Sequence, residues 1–428
     1  MLKDIILRQK QEKERLLSLS YIERTKIREA KKWLSSDLIK VIFGPRRAGK
    51  SVFSLMLLKN QPFMYFNFDD EILTDSNGIN LDELMKGLHT GYGETKTILF
   101  DEIQNLPSWE LFINRLHRQG YNLILTGSNA KLLSHELATA LTVRHIPIEI
   151  MPFDFKEFLR AKNYQINQEY QTLPQKRAEI LNLMETYLLN GGFPEIVVKG
   201  MDPKGYLEVL FDSLLFKDVV KRHKVKFSTQ IDNLGSYLIN NFCNYYSLRK
   251  LVSVLNFRSG VTAEKYTGYL EEAYVIFSLH RYSVKAGERI KSPKKIYVVD
   301  NGFIWAKAIQ HSPDRGRLME NLVFTELIKR GFKYNHDLFY YKTRNNREVD
   351  FVLKKGTIID ELMQVFYQTG DPAIEQRETK GLLEASEELH VDKLTVLTWD
   401  EEKRVERNKK IINFVPLWKW LLNQDIYK

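Results

Sequence analysis

Gly44-Pro45-Arg46-Arg47-Ala48-Gly49-Lys50-Ser51 follows an apolar run, Val41-Ile42-Phe43, and precedes a helix-like stretch from Val52 to Lys59. This is the strand, glycine-rich loop and helix succession in which GxxxxGK[ST] cradles phosphates. The two glycines let the backbone curl so that its N–H groups face inward, and the helix N-terminus adds donors of its own. Lys50 is then placed to reach the β- and γ-phosphates, and Ser51 to hold Mg²⁺. The whole stretch, Gly44 to Ser51, is therefore expected to bind a nucleoside triphosphate.

Working outward, apolar runs at Val41–Phe43, Phe63–Phe68, Thr97–Phe100, Asn122–Thr126 and His145–Ile150 alternate with helix-like segments. Such alternation predicts an α/β class with a parallel sheet covered on both faces. In Thr97-Ile98-Leu99-Phe100-Asp101-Glu102, Asp101 emerges at the C-terminal end of a buried strand, where α/β sheets hold ligands. Asp101 is expected to position Mg²⁺ with Ser51, and Glu102 to orient or deprotonate the attacking water. One strand lies between the loop and Asp101 in sequence, matching the P-loop branch with an added central strand and a catalytic glutamate. The fourth strand ends in Gly127-Ser128-Asn129, where Ser128 either senses the γ-phosphate or caps a helix. Arg144, just before the fifth strand, supplies a transition-state cation, in cis or from a neighbouring subunit, or forms a structural ion pair.

The 428 residues suggest about three domains. No run of about 18 uncharged apolar residues occurs, so no membrane span is expected. The first residues lack the apolar core of a signal peptide. Cys243 is the single cysteine, which excludes a disulfide framework and suits a reducing, cytoplasmic setting. It sits in a helix-like stretch, Asn240 to Tyr246, and reads as a small buried hydrophobe. The net charge of +10 favours a polyanionic partner. Basic residues concentrate at 217–226 and 281–295, where a solvated face is the ordinary alternative to a binding surface.

Organisation along the chain reads as follows. Residues 1–34 form an amphipathic helical segment, 35–155 the P-loop core, and 156–226 a helical stretch broken at Asn190-Gly191-Gly192-Phe193-Pro194. Residues 227–300 carry three helices, with Ser247 and Thr262 as caps of the second and third. Strands at Val275–Val284 and Lys294–Val299 follow, around a turn at Gly287. This is the layout of a winged helix-turn-helix. Residues 301–428 return to mixed helix and strand.

The segments GPRRAGKS, LFDEIQ, LTGSN, YLLNGGFPE, KIYVVDNG, RLMENLVFTEL and REVDFVL together resemble a family of archaeal and bacterial AAA+-like ATPases. These join a P-loop domain to a winged helix and a C-terminal domain of the PD-(D/E)XK, restriction-endonuclease-like fold. The resemblance runs from about Ile27 to Trp420. It implies ATP as the nucleotide, a helical lid that includes the GGFPE segment, and a nuclease-like fold over 301–428. In that fold a helix acid, a strand acid and an acid-X-lysine gather metal. Glu320 and Asp350 match the first two. The third place reads Gln364-Val365-Phe366, without acid or lysine; the alternative register takes Glu361 as the acid but puts Met363 at the lysine. A degenerate nuclease domain retained for binding or assembly is expected; the alternative is that Glu320 and Asp350 form ordinary polar contacts.

For nucleic acid, the third helix of the winged segment carries Glu264, Glu271 and Glu272 and is poor for base reading. The hairpin, with Arg281, Lys285, Arg289, Lys291, Lys294 and Lys295, is the better candidate for contact with duplex or branched DNA. The leading expectation is an ATP-hydrolysing, DNA-associated motor or switch, with homo-oligomerisation open. The alternatives are a signalling or scaffold ATPase whose nucleotide state controls protein assembly, and an ATP-gated, Mg²⁺-dependent nuclease.

Overall fold

A computed structural model of the chain describes residues 2–74, 79–128, 144–165, 173–226, 228–307, 314–367 and 372–423. It divides into two compact units: Met1–Phe153 with Glu272–Tyr274, and Asp154–Glu271 with Val275–Lys428.

The first unit is built on a parallel sheet of β1 (Ile39–Phe43), β2 (Met64–Asn67), β3 (Thr97–Asp101), β4 (Asn122–Gly127) and β5 (His145–Glu149). Its spatial order is β2-β3-β4-β1-β5, so β4 lies between the strand leading into the glycine loop and the strand bearing Asp101. β2, β3 and β4 are nearly continuous buried runs, as in a sheet covered on both faces, whereas β5 at the far edge is mostly not buried. Val41, Phe66, Ile98, Phe100 and Leu125 pack on one side, while Ile42, Tyr65, Leu99 and Ile124 pack on the other. Side chains alternate across a strand, and neighbouring residues duly enter different cores.

Strand β2 is an edge, and an unpaired edge invites association. The helix Leu2–Ser18 closes it. Its own Ile5 and Ile6 are buried in the core that also holds Phe66. Gln9 brackets the strand backbone: its Nε2 donates to the Asn67 carbonyl at 3.0 Å, and its Oε1 accepts the Asn67 N–H at 2.9 Å. One turn on, Lys13 donates to the Phe63 carbonyl at 3.2 Å.

The second unit begins with helices Phe155–Ala161, Pro174–Asn190, Pro194–Lys199 and Pro203–Ser213, the last running into a π-helical segment, Leu214–Lys221. Then come helix Ser228–Asn240, β6 (Tyr245–Tyr246), helices Leu248–Leu255 and Gly260–Glu272, β7 (Ile276–Leu279), helix Ala286–Lys291 and β8 (Lys294–Val298). The antiparallel sheet has the order β6-β8-β7. Ser247 caps its helix as expected, accepting from the Lys250 N–H. Thr262 does not cap: the helix starts at Gly260, and Ser259 Oγ accepts the Thr262 N–H at 3.2 Å. Gly287 makes no hairpin turn but lies inside Ala286–Lys291. The strand expected to reach Val284 ends at Leu279, because Arg281 and Tyr282 turn to pair with Tyr340 instead. Cys243 is buried, as expected, but in a left-handed turn rather than a helix.

Helix Arg315–Lys329, β9 (Leu338–Lys342), β10 (Glu348–Lys355), β11 (Ile358–Phe366), helix Pro372–Leu389, β12 (Leu394–Thr398), β13 (Lys403–Arg407), β14 (Lys410–Pro416) and helix Leu417–Leu422 complete the unit. This six-stranded mixed sheet is ordered β13-β14-β12-β11-β10-β9. The segment Gly191-Gly192 seats on Asp300. The carboxylate accepts the Gly192 N–H at 2.8 Å and the Gly302 N–H at 2.9 Å, so two glycine motifs far apart in sequence close on one buried acid. Among the described residues, no helix is long and apolar enough to cross a membrane.

Candidate functional site

The glycine loop leaves β1 at Gly44, whose φ is +140°. A Cβ there would stand 2.1 Å from the Ile150 carbonyl oxygen, so only glycine passes. Gly49 (φ 91°) and Arg47 (φ 65°) complete the curl in left-handed conformations. The loop opens into helix Lys50–Leu58, whose first N–H groups have no partner within the helix. Lys50 is buried, and its Nζ donates to the Pro45 carbonyl at 2.9 Å, folded over the loop it would share with a phosphate. Arg46 stands 4.0 Å from Asp69, while Arg47 is exposed. Ala48 is fully buried.

Sequence reasoning missed a second support. Arg24 is buried and donates from Nη1 to the Ala48 carbonyl at 2.9 Å and from Nη2 to the Met151 carbonyl at 2.6 Å. Its guanidinium lies 5.0 Å from the Phe153 ring. It fastens the loop to the chain leaving β5. No local motif announces such a contact, because its partners lie 24 and 127 residues away.

Asp101 ends β3 beside this loop. Its Oδ1 accepts from Ser51 Oγ at 3.0 Å and from Thr126 Oγ1, and its Oδ2 accepts from Tyr65 at 3.3 Å. Burial, then the neighbouring Glu102 charge, pushes the Asp101 carboxyl up to about 6, against the opposing pull of Thr126, Ser51 and Lys50. Glu102 is left-handed (φ 51°), and its N–H donates to Thr126 Oγ1 at 3.0 Å. Its carboxylate receives the side-chain amide of Gln104, which also reaches Ser128 Oγ at 3.4 Å. The site thus gathers Lys50, Ser51, Asp101, Glu102 and Ser128, together with Thr126 and Gln104, which had not been singled out. Asn129 lies outside the described residues.

Arg144 is not brought to this site within the chain. Ile39 pairs with His145, and the Ile39 N–H donates to the Arg144 carbonyl at 2.9 Å. In a parallel sheet, that places Arg144 at the N-terminal end of the strands, whereas the loop leaves at the C-terminal end of β1.

The nuclease-like residues resolve into one register. β10 and β11 pair with Phe351 opposite Met363, which sets Asp350 opposite Gln364. The Asp350 N–H donates to Gln364 Oε1 at 3.2 Å, and Asp350 Oδ2 accepts the Val365 N–H at 2.9 Å. Glu361 does not join them. It pairs with Lys393 at 2.8 Å and accepts from Thr395.

The cationic hairpin requires one correction. Lys295 is not available to DNA: it is 2 % exposed and donates inward to Glu320, Glu348 and Asp350. Arg281 is half-buried, and its Nη2 donates to the Lys342 carbonyl at 2.7 Å. Lys285 and Lys291 are exposed, Arg289 and Lys294 are half-buried, and Lys285 pairs with Glu288 at 3.3 Å. Arg281, Lys285 and Lys291 line an open cleft of about 560 Å³.

Comparisons with known proteins identify an AAA domain in the part of the chain that carries the glycine loop. Residues 36–159 match an AAA domain model, and residues 181–312 and 315–420 match two domains of unknown function (DUF8612 and DUF4143). The chain is 37 % identical over 404 residues to the uncharacterized protein MJ1544 of Methanocaldococcus jannaschii, covering 91 % of this chain and 89 % of that protein. It is 30 % identical over 346 residues to an uncharacterized protein of Haemophilus influenzae, covering 77 % and 82 % respectively. Among solved structures, the Walker-type ATPase paby2304 of Pyrococcus abyssi aligns at 16 % identity over 68 % of this chain and 99 % of its own, with a TM-score of 0.44.

Proposed function

Because the chain belongs to the family of the MJ1544 protein and carries an AAA domain, we propose that it is a Mg²⁺-dependent ATPase that works in association with DNA. The observation that carries the ATPase reading is the 3.0 Å bond between Ser51 on the loop helix and Asp101 on β3. Two oxygen donors, one hydroxyl and one carboxylate, suit a hard divalent cation. When bound, Mg²⁺ supplies charge neutralisation at the β- and γ-phosphate oxygens. The loop N–H groups and Lys50 hold the triphosphate, which requires Lys50 to leave the Pro45 carbonyl. Thr126 keeps Asp101 in place and takes the Glu102 N–H, aiming that carboxylate beyond the strand end. Glu102 orients the attacking water, and Gln104 restrains its carboxylate until nucleotide arrives.

The DNA reading draws on the three helices and the β6-β8-β7 sheet, an order that supports a winged helix. Arg289, Lys291 and Lys294, with Lys285, give the hairpin a positive surface for sequence-independent phosphate contact. A helix followed by β9, β10 and β11, a second helix and β12 supports a nuclease-like C-terminal fold, without the acid and lysine that cleavage needs at Gln364 and Phe366. Arg144 remains a candidate only across a subunit boundary. The deciding experiment measures ATP turnover with and without duplex and forked DNA, on wild type beside Lys50→Ala. Turnover that DNA stimulates and Lys50→Ala abolishes supports the reading. Turnover equal in the two proteins overturns it.

A further inference from the structure

The lysine missing from β11 has a counterpart elsewhere. Lys295 sits on β8, the central strand of the small sheet, with Nζ 2.7 Å from Glu320 Oε1 and 3.2 Å from Asp350 Oδ1, and closer still to Glu348. Tyr297, two residues on and on the same face, donates to Glu320 at 2.6 Å. Glu320 and Asp350 are themselves buried, at 9 % and 5 % exposure. Burial alone would lower the Lys295 ammonium. Glu320, Tyr297, Asp350 and Glu348 outweigh it, and its protonation holds far above the ordinary lysine range.

A nuclease-like fold implies a divalent metal among these acids, and the residues present do not fit one. Metal–oxygen distances are about 2.0–2.6 Å. The ammonium already lies between the carboxylates that would have to converge, and a second cation there would meet it within van der Waals range. The Lys295 backbone is paired on both sides, and its side chain is 2 % exposed among these acids. Gln364 brings no charge, and its oxygen is already taken by the Asp350 N–H. Glu361 is turned to Lys393.

We propose that the Lys295 ammonium is the resident cation of this centre, standing where the nuclease fold would carry its metal. The centre is therefore non-cleaving, and it fastens the cationic hairpin to the six-stranded sheet. The hairpin is tied at a further point, through the Tyr340 hydroxyl to the Pro293 carbonyl. The inference rests on the nuclease-like reading of residues 301–428 and goes beyond it by assigning the cation.

The test uses the full chain as wild type, Asp350→Asn, Lys295→Ala and Lys295→Ala/Asp350→Asn. Thermal unfolding is followed in EDTA and in millimolar Mn²⁺ or Mg²⁺, and nicking of supercoiled plasmid is assayed in parallel. Any effect of Mn²⁺ on wild-type melting should be the same in Asp350→Asn. Lys295→Ala should lose on the order of 10 °C. Mn²⁺ should restore part of that loss, and the added Asp350→Asn change should cancel the restoration. A Mn²⁺-dependent rise in the wild-type melting temperature that vanishes in Asp350→Asn overturns the inference, as does Lys295→Ala melting like wild type or ignoring divalent ions. If Lys295→Ala does not fold, the wild-type and Asp350→Asn arms still decide. Asp350-dependent, Mg²⁺-dependent nicking by wild type would instead overturn the degenerate-nuclease reading itself.

Discussion

Replacing Gly191 by alanine should be among the most damaging single-methyl additions in the second unit. Gly191 has φ 74° and ψ −165°, a region essentially reserved for glycine, and forcing another residue there costs about 1–3 kcal/mol. The added Cβ would stand 1.6 Å from Asp300 Oδ1, so the carboxylate must move. Moving it strips acceptors from the buried N–H groups of Gly192 and Gly302, at about 1–3 kcal/mol each. The sum, roughly 3–9 kcal/mol, is a large share of the about 5–15 kcal/mol that holds a typical domain folded. Urea unfolding followed by tryptophan fluorescence reads this unit well, because Trp305, Trp399, Trp418 and Trp420 belong to it and only Trp33 and Trp109 do not. In an Asp300→Ala background the collision is gone, so Gly191→Ala should there cost only the backbone strain. A cost below about 1 kcal/mol in wild type, or the same cost in both backgrounds, refutes the reasoning.

Glu102→Gln should leave nucleotide binding intact and slow hydrolysis by about 10²-fold or more, measured by calorimetry and phosphate release. Arg24→Ala should weaken ATP affinity through the loosened loop while the melting of the second unit is unchanged; equal affinity would remove Arg24 from the site. Changing Lys285, Arg289 and Lys291 together to alanine should lower duplex affinity and flatten its salt slope by about 0.9 for each phosphate no longer neutralised, read by anisotropy titrations. Burial pushes the Asp300 carboxyl up to about 6, above its ordinary 3.8. Its contribution is therefore fully present below about pH 4 and lost as pH rises through 6, about 3 kcal/mol in all. The stability difference between wild type and Asp300→Asn should shrink accordingly from pH 4 to 7 in urea titrations.

The candidate nucleotide site was largely legible because its parts are local. The loop, its glycines and Lys50 lie within eight residues, and Asp101 follows an apolar run that could only be a buried strand. What escaped depended on pairing across distance. Lys294 and Lys295 look alike in sequence, yet strand parity sends Lys295 inward to acids 25 and 53–55 residues away. The choice between Glu361 and Gln364 was likewise a matter of register, decided by where β10 meets β11. Arg144 could have been placed from sequence, since a residue entering a parallel strand lies at the far end from the loops that bind ligand. The hairpin was read too long because nothing near Arg281 reveals that Tyr340 competes for its backbone.

The two bonds from one glutamine amide to the backbone at Asn67 mean that a side chain finishes the main sheet on that flank. Protein trimmed by a protease to begin after Ser18 would keep Gly44 to Ser51, Asp101 and Glu102 yet bare ladder groups at β2. Such material should self-associate into sheet-rich aggregates, and its apparent loss of turnover would reflect stickiness rather than chemistry.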